Sequence, residues 1–232
     1  MPERLVVCRA VLCLLAALCA AAGAPAEERS VSPGVNAPYE NADYAQWQER
    51  FERPGREVYD RREAIVEAAG ITAGMTVADV GAGTGLFVRP FARAVGEAGK
   101  VYAVDITPEF IERIRAFAAA EGLRNVEAVL NDDRDVALPG ASVDLAFLCD
   151  VYHHFEYPAD MMASIRRALR PGGRLVVIDF KREEGISEPW ILEHVRTGRD
   201  DVVAEIEAAG FRLIGERAIL DQNYYLLFEK PS

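Results

Sequence analysis

Five short segments of this chain hold residues whose types and spacing suit chemistry. The first is Gly81-Ala82-Gly83-Thr84-Gly85, where glycines permit a tight turn and close approach of backbone to a ligand. The second is Asp105, whose carboxylate can accept both hydroxyls of a ribose, as the acidic residue of dinucleotide sites does. The third is Asn131-Asp132-Asp133, and the fourth is Asp150-Val151-Tyr152-His153-His154-Phe155. The fifth is Asp179. Carboxylates gathered around a bound molecule suit a cation and sugar hydroxyls, and they repel phosphate. The glycine loop agrees with that preference. Leu86 stands where a G-x-G-x-x-G dinucleotide fingerprint needs its third glycine, and no lysine follows as in a P-loop. A nicotinamide oxidoreductase is disfavoured on the same ground.

These segments fall at the ends of predicted strands. Thr76–Val80, Lys100–Asp105, Asn125–Leu130, Val143–Cys149 and Arg174–Phe180 read as short apolar strands. Helices are predicted between them: one over 58–69 stopped by Gly70, one from about Leu86 to Val95, one capped by Thr107 with Pro108 at its first position, and Pro158–Leu169. A helix capped by Asp200 and ended by Gly210 follows, then strands Phe211–Ile219 and Asn223–Glu229 about a turn at Asp221-Gln222. Arg170-Pro171-Gly172-Gly173 reads as a helix stop. Alternating strands and helices imply a mostly parallel α/β sheet covered on both faces. Ligands of such sheets bind outside the carboxyl ends of the strands.

The N-terminus reads separately. Arg4 and Arg9 precede an apolar run from Ala10 to Ala24, and Ala24-Pro25-Ala26 offers a cleavage site. That is the pattern of a secretory signal peptide over residues 1–26, and the run is short of the roughly 20 residues of a membrane span. An exported, periplasmic or secreted protein is expected; an uncleaved N-terminal anchor is the alternative. Residues 27–56 read as a linker and an aromatic segment. Tyr39, Tyr44, Trp47, Phe51 and Tyr59 form either a lid or ordinary packing. Residues 57–232 form the domain proper. Beyond residue 26 only Cys149 remains of the four cysteines, so no internal disulfide is available, and Cys149 is expected to pack inertly.

With 26 basic against 37 acidic residues and a net charge of −11, the chain is poorly suited to sequence-independent nucleic-acid binding. The pairs Arg61-Arg62, Arg166-Arg167 and Lys181-Arg182 are expected on solvated faces. No metal site is expected. Adjacent His153 and His154 should diverge, and His194 is the remaining histidine. Glu193-His194 with Trp190 either lines an acceptor pocket or forms a surface turn.

Val77–Gly85, Val104-Asp105, Asp132, Leu138-Pro139, Ser142-Val143-Asp144 and Ala168–Leu175 occur in the order of the class I S-adenosylmethionine-dependent methyltransferases. The chain resembles that family over Glu57 to Lys230, most closely its small-molecule branch with the ubiquinone/menaquinone-type enzymes. The resemblance implies a Rossmann-like seven-stranded sheet with the last strand antiparallel, and S-adenosyl-L-methionine as cofactor. It implies Asp79, Gly81 and Gly83 near the methionine part, Asp105 on the ribose, and Asp132 near the adenine. Ala82, Ile106 and Asp133 complete the cofactor-binding set. Asp150 faces the sulfonium and a small-molecule methyl acceptor, with His153 or His154 as an acceptor-side base or as structural loop residues. A non-catalytic exported binding module on the same fold is the alternative function.

Overall fold

The computed structural model describes residues 29–232. The predicted signal peptide at 1–26 lies outside them. Among the described residues no helix is long and apolar enough to cross a membrane. Seven strands form one sheet: β1 Thr76–Val80, β2 Lys100–Asp105, β3 Val126–Leu130, β4 Val143–Cys149, β5 Leu169–Phe180, β6 Arg212–Glu216 and β7 Asn223–Glu229. Their spatial order is β3-β2-β1-β4-β5-β7-β6. The first five run parallel; β7 inserts antiparallel between β5 and β6.

The central strands are apolar throughout because both faces are covered, and alternate residues serve opposite faces. In β4, Leu145 and Phe147 pack with Phe87, Phe91 and Ile65 on one side. Ala146 and Leu148 pack with Met162, Ile165 and Ile206 on the other. Ile111 and Ile114 of the helix after β2 cover the β2–β3 end. β3 and β6 lie at the edges, and their partial exposure matches their more polar sequences.

The helices are α1 Tyr44–Phe51, α2 Glu57–Asp60, α3 Arg62–Ala68, α4 Val88–Val95, α5 Pro108–Ala120, α6 Pro158–Ala168, α7 Pro189–His194 and α8 Arg199–Ala208. Several differ from expectation. The helix predicted over 58–69 breaks at Arg61 into α2 and α3. The break leaves the Glu57 carboxylate to accept the N–H groups of Gln222 (2.9 Å) and Asn223 (3.1 Å) in the β6–β7 turn. Gly198, not Asp200, is the N-cap of α8, and Asp200 sits in its first turn. Thr107 is the N-cap of α5 but makes no side-chain cap bond. Arg170–Gly173 does not stop a helix in a loop, because Leu169 is already extended and the segment belongs to β5. Two helices went unread, α1 and α7. Asp43 caps α1 by accepting the N–H groups of Ala45 and Gln46.

The order of strands fixes where a ligand can sit. From β1 the chain winds outward through β2 to β3, then returns to the other side of β1 as β4. The loops leaving β1 and β4 diverge there and open a crevice at their carboxyl ends.

Candidate active site

The loop after β1 is built for close packing rather than for donation. Gly81 has φ +74°, and a Cβ on it would lie 2.3 Å from Val151 Cγ2. Its N–H and that of Ala82 both donate to Val104 O (2.8 and 3.0 Å). Gly83 N–H donates to Asp105 Oδ2 at 2.7 Å, and Gly85 N–H to Ala82 O. These groups are therefore engaged inside the fold, so the loop is no phosphate cradle.

Acidic side chains surround the loop. Asp79, at the inner end of β1, is 3% exposed, and its Oδ2 has no hydrogen-bond partner among the described residues. Burial pushes its carboxyl up to about 8, and the nearby Asp105 charge adds to this. Asp105 is also buried and raised, chiefly by burial, although it accepts N–H groups from Thr107 (2.8 Å) and Gly83. The Thr107 side chain and the Ile106 N–H also hydrogen-bond it, and it lines the cavity. Asp132 is exposed, and its Oδ1 closes a turn by accepting Arg134 N–H and Asp135 N–H. Asp133 and Ile106 share the same rim.

Asp150 is held rather than free. It adopts φ +53°, a strained conformation for a residue with a side chain. Its Oδ2 pairs with Arg56 at 2.7 Å, and its Oδ1 accepts from Asn223 Nδ2 at 2.5 Å. Burial raises its carboxyl, and Arg56 opposes that rise. With both oxygens engaged, Asp150 suits positioning better than proton transfer.

The two histidines have different surroundings. His153 is 3% exposed, and its Nδ1 lies 2.7 Å from Asp179 Oδ1. Asp179 is itself buried and also accepts the backbone N–H groups of His153 and Phe180. Burial lowers the His153 pKa, but the Asp179 carboxylate outweighs it and the net direction is upward. His154 is driven down to about 2 by burial and by His153 and His194, so it stays neutral. Burial likewise lowers His194.

The expectation that the adjacent histidines diverge is wrong. Tyr152–His154 forms a single 3-10 turn, which brings the two rings within 4.3 Å of each other, centroid to centroid. Helix α7 then carries His194 to 5.0 Å from the His154 ring. Trp190 lies on the same rim and packs edge-on against Phe180; Glu193 is not among the lining residues.

Residues 29–56 do not hang free as a linker composition suggests. Ser30 Oγ donates to Glu156 Oε2, and Asn36 Nδ2 donates to His154 O. Tyr44 OH donates to Thr84 O (3.0 Å), while Thr84 Oγ1 donates to Glu52 Oε1 (2.7 Å), so α1 is fastened across the glycine loop. Tyr39, Trp47 and Phe51 line the cavity wall. Tyr44 packs behind it on Phe110, and Tyr59 sits away from it under Arg62. The cavity is about 550 Å³ and brings together Asp79, Gly81, Ala82, Gly83, Asp105, Ile106, Asp132, Asp133, Asp150, His153 and His154. Cys149 also borders it, and burial raises its thiol well above the ordinary range, so it stays protonated.

Sequence reasoning missed Arg56, Asn223 and Arg182. Against the expectation of a solvated face, Arg182 donates to Val195 O (2.8 Å) and Leu192 O (3.1 Å) and so holds the end of α7. Arg167 also pairs, with Asp135 at 2.5 Å.

Residues 78–177 match the family model described as methyltransferase domain. Over 118 residues the chain is 30% identical to a ubiquinone/menaquinone biosynthesis C-methyltransferase of Ectopseudomonas mendocina (strain ymp), covering 50% of this chain and 46% of that protein. Over 116 residues it is 34% identical to an uncharacterized 37.1 kDa protein in a transposon of Streptomyces fradiae, covering 50% of this chain and 33% of that protein. The chain thus spans less than half the length of these curated relatives. Among solved structures, a SAM dependent methyltransferase from Aquifex aeolicus aligns with TM-score 0.72 and 28% identity, over 82% of this chain and 100% of that one. The [4+2]-cyclase SpnF, at TM-score 0.65 and 18% identity over 78% of this chain and 85% of that one, shares the fold alone. Residues 78–177 thus carry the match to a methyltransferase domain, on a fold shared with the SAM dependent methyltransferase from Aquifex aeolicus.

Two outcomes are expected. Gly81→Ala forces a Cβ into Val151 at a positive φ and should destabilise the fold by about 1–3 kcal/mol. Chemical denaturation measures this, and Val151→Ala in the same chain should restore part of the loss. The second concerns pH. Folded Asp79 keeps its proton up to about 8, whereas the unfolded chain releases it near the ordinary value of 3.8. The folded state therefore binds more protons between these values. Its contribution is fully present below pH 4 and is lost as pH rises through 8. Denaturation midpoints of the ligand-free protein across pH 4–9 should show a shallower decline in Asp79→Asn than in the parent.

Proposed function

We propose that this chain transfers a methyl group from S-adenosylmethionine to a small-molecule acceptor. The observation that carries the proposal is the buried Asp79 carboxylate with an unpartnered oxygen, beside Asp105, on the wall of a cavity of about 550 Å³. A buried acid with no partner is stabilised by a cation. S-adenosylmethionine carries an ammonium and a sulfonium, and a ribose whose hydroxyls suit the Asp105 carboxylate. Asp79, Gly81, Ala82 and Gly83 then form its methionine end, and Asp105 and Ile106 its ribose end. Asp132 and Asp133 stand at the adenine end. Tyr39, Trp47 and Phe51 on the cavity wall supply aromatic surface that tolerates a cation.

Methyl transfer from a sulfonium is an in-line displacement. The acceptor's lone pair forms the new bond to carbon, and the carbon–sulfur pair returns to sulfur. The leaving group needs no proton, so alignment supplies much of the rate. The protein's task is to hold the acceptor about 3 Å from the methyl carbon and to exclude water. Asp150, fixed by Arg56 and Asn223, braces the floor between cofactor and acceptor. The acceptor side is bordered by His153, His154, Phe180, Trp190 and His194. Where the acceptor must lose a proton, it does so on this imidazole-lined side, where Asp179 holds the His153 ring in place. The volume of the cavity supports a small acceptor.

We also propose export directed by residues 1–26, supported by their basic, apolar and small-residue pattern.

Calorimetry should show S-adenosylmethionine binding and no comparable binding of NAD. Asp79 must give up its proton to face a cation, so binding at pH 7 should release protons, seen as a heat that varies with the buffer's ionisation enthalpy. Asp79→Asn should abolish that release and weaken binding at least tenfold, about 1.4 kcal/mol. Absence of affinity for S-adenosylmethionine in the folded parent overturns the proposal. For export, mass determination should give a chain starting at Glu27 in the exported fraction; a chain retaining Met1 overturns it.

A further inference from the structure

We propose that His153, His154 and His194 form a site for one divalent zinc-like ion on the acceptor side of the cavity, with its open position facing the acceptor. One ring nitrogen from each residue lies within 4.8 Å of the others. The Nε2 atoms of His154 and His194 are 3.4 Å apart. Zinc–nitrogen bonds of about 2.0–2.1 Å give a tetrahedral nitrogen–nitrogen edge of about 3.3–3.4 Å, so this pair already has the spacing of two ligands. The His153 ring is 5.1 Å from that of His194 and 4.3 Å from that of His154, centroid to centroid.

The support around the rings has the form of a ligand site as well. Nδ1 of His153 is held by Asp179 at 2.7 Å, which fixes the ring and leaves Nε2 as its available lone pair. A carboxylate behind a histidine is the usual outer partner of a metal-ligating imidazole. Asp179 is itself anchored by the N–H groups of His153 and Phe180. Arg182 fixes the end of α7 and hence His194. Nδ1 of His154 is buried with no hydrogen-bond partner among the described residues, and Nε2 is the nitrogen of that ring turned toward His194. The 3.4 Å contact between the Nε2 atoms of His154 and His194 can hold one proton between two rings, whereas one cation can accept a lone pair from all three.

Three protein ligands leave a fourth position, and all three rings border the cavity. That position takes an oxygen or sulfur of the acceptor. An acceptor hydroxyl or thiol bound there loses its proton to solvent more readily. The resulting anion's lone pair forms the bond to the methyl carbon, the carbon–sulfur bond of the sulfonium breaks toward sulfur, and both products are left neutral at the reacting atoms. This acceptor class rests on the methyltransferase reading; the metal site does not.

The test uses the tag-free protein, dialysed against chelator and titrated with Zn²⁺ in competition with a chromophoric chelator. One equivalent should bind. His194→Ala, on an exposed and locally held helix, should lower the affinity at least tenfold, as should His154→Gln. Asp179→Asn should lower it by about 10–100-fold. Co²⁺ in place of zinc should give the visible bands of a four-coordinate ion, absent in His194→Ala. Zinc binding that is no tighter in the parent than in His194→Ala, both folded by circular dichroism, overturns the site. Parallel S-adenosylmethionine titrations separate the two readings. Zinc bound without cofactor affinity defeats the methyltransferase reading alone, and cofactor bound without zinc defeats the metal site alone.

Discussion

The constraint on which the structure depends is the placement of carboxylates where water is scarce and partners are few. Asp79, Asp105 and Asp179 are each at most 6% exposed, and each is the last or next-to-last residue of a strand of one sheet. A buried ionised acid is costly unless hydrogen-bonded or paired with a cation. The three meet this differently. Asp105 draws on backbone N–H groups of Gly83 and Thr107, and Asp179 on His153 and two backbone N–H groups. Asp79 has no such support on Oδ2 and retains its proton up to about 8. The cavity is therefore uneven: one acid lies at its inner end without a partner on Oδ2, while the others are hydrogen-bonded around it.

The glycine loop takes its form from the same arrangement. Because its N–H groups turn inward to Val104 and Asp105, it presents little positive potential. A helix N-terminus with free donors would invite a phosphate. Here the engaged loop and the acids agree in sign, and both favour a ligand whose charge is positive. Local geometry and long-range electrostatics thus select the same chemistry, although the loop alone, read as a glycine pattern, is compatible with several ligands.

The architecture was legible because it rests on local signals. Apolar runs such as Val143–Cys149 and Val101–Val104 mark strands covered on both faces, and acids at their ends mark the crevice. What was not legible depends on contacts between distant residues. Arg56 reaches Asp150 across 94 positions, and Ser30 reaches Glu156 across 126. Neither pairing leaves a trace in hydrophobic periodicity, so α1 and its leading segment read as a linker. Arg182 failed for the same reason: a charged residue beside Lys181 looks solvated until α7 presents carbonyls to it. Asp43 before α1 was an available cap signal. The polar, aromatic composition of that helix, which buries none of its residues fully, obscured it.

The histidines show how adjacency misleads. On an extended chain, neighbouring side chains point to opposite sides, and the pair at 153–154 would then be separate groups. A single 3-10 turn reverses this, and α7 adds a third ring that sequence spacing could not have brought near. The cavity consequently has two chemical halves. The half beneath the glycine loop is acidic and suited to hold a cationic donor. The half under α7 is rich in imidazole and suited to handle the lone pair or proton of whatever attacks. Asp150 lies between them, strained at φ +53° and held by Arg56 and Asn223. That strain is sustained only because both partners come from distant elements, α2's leading residue and β7. The boundary between the halves is thus a product of the whole fold, whereas each half taken alone is assembled from strand ends and the loops that follow them.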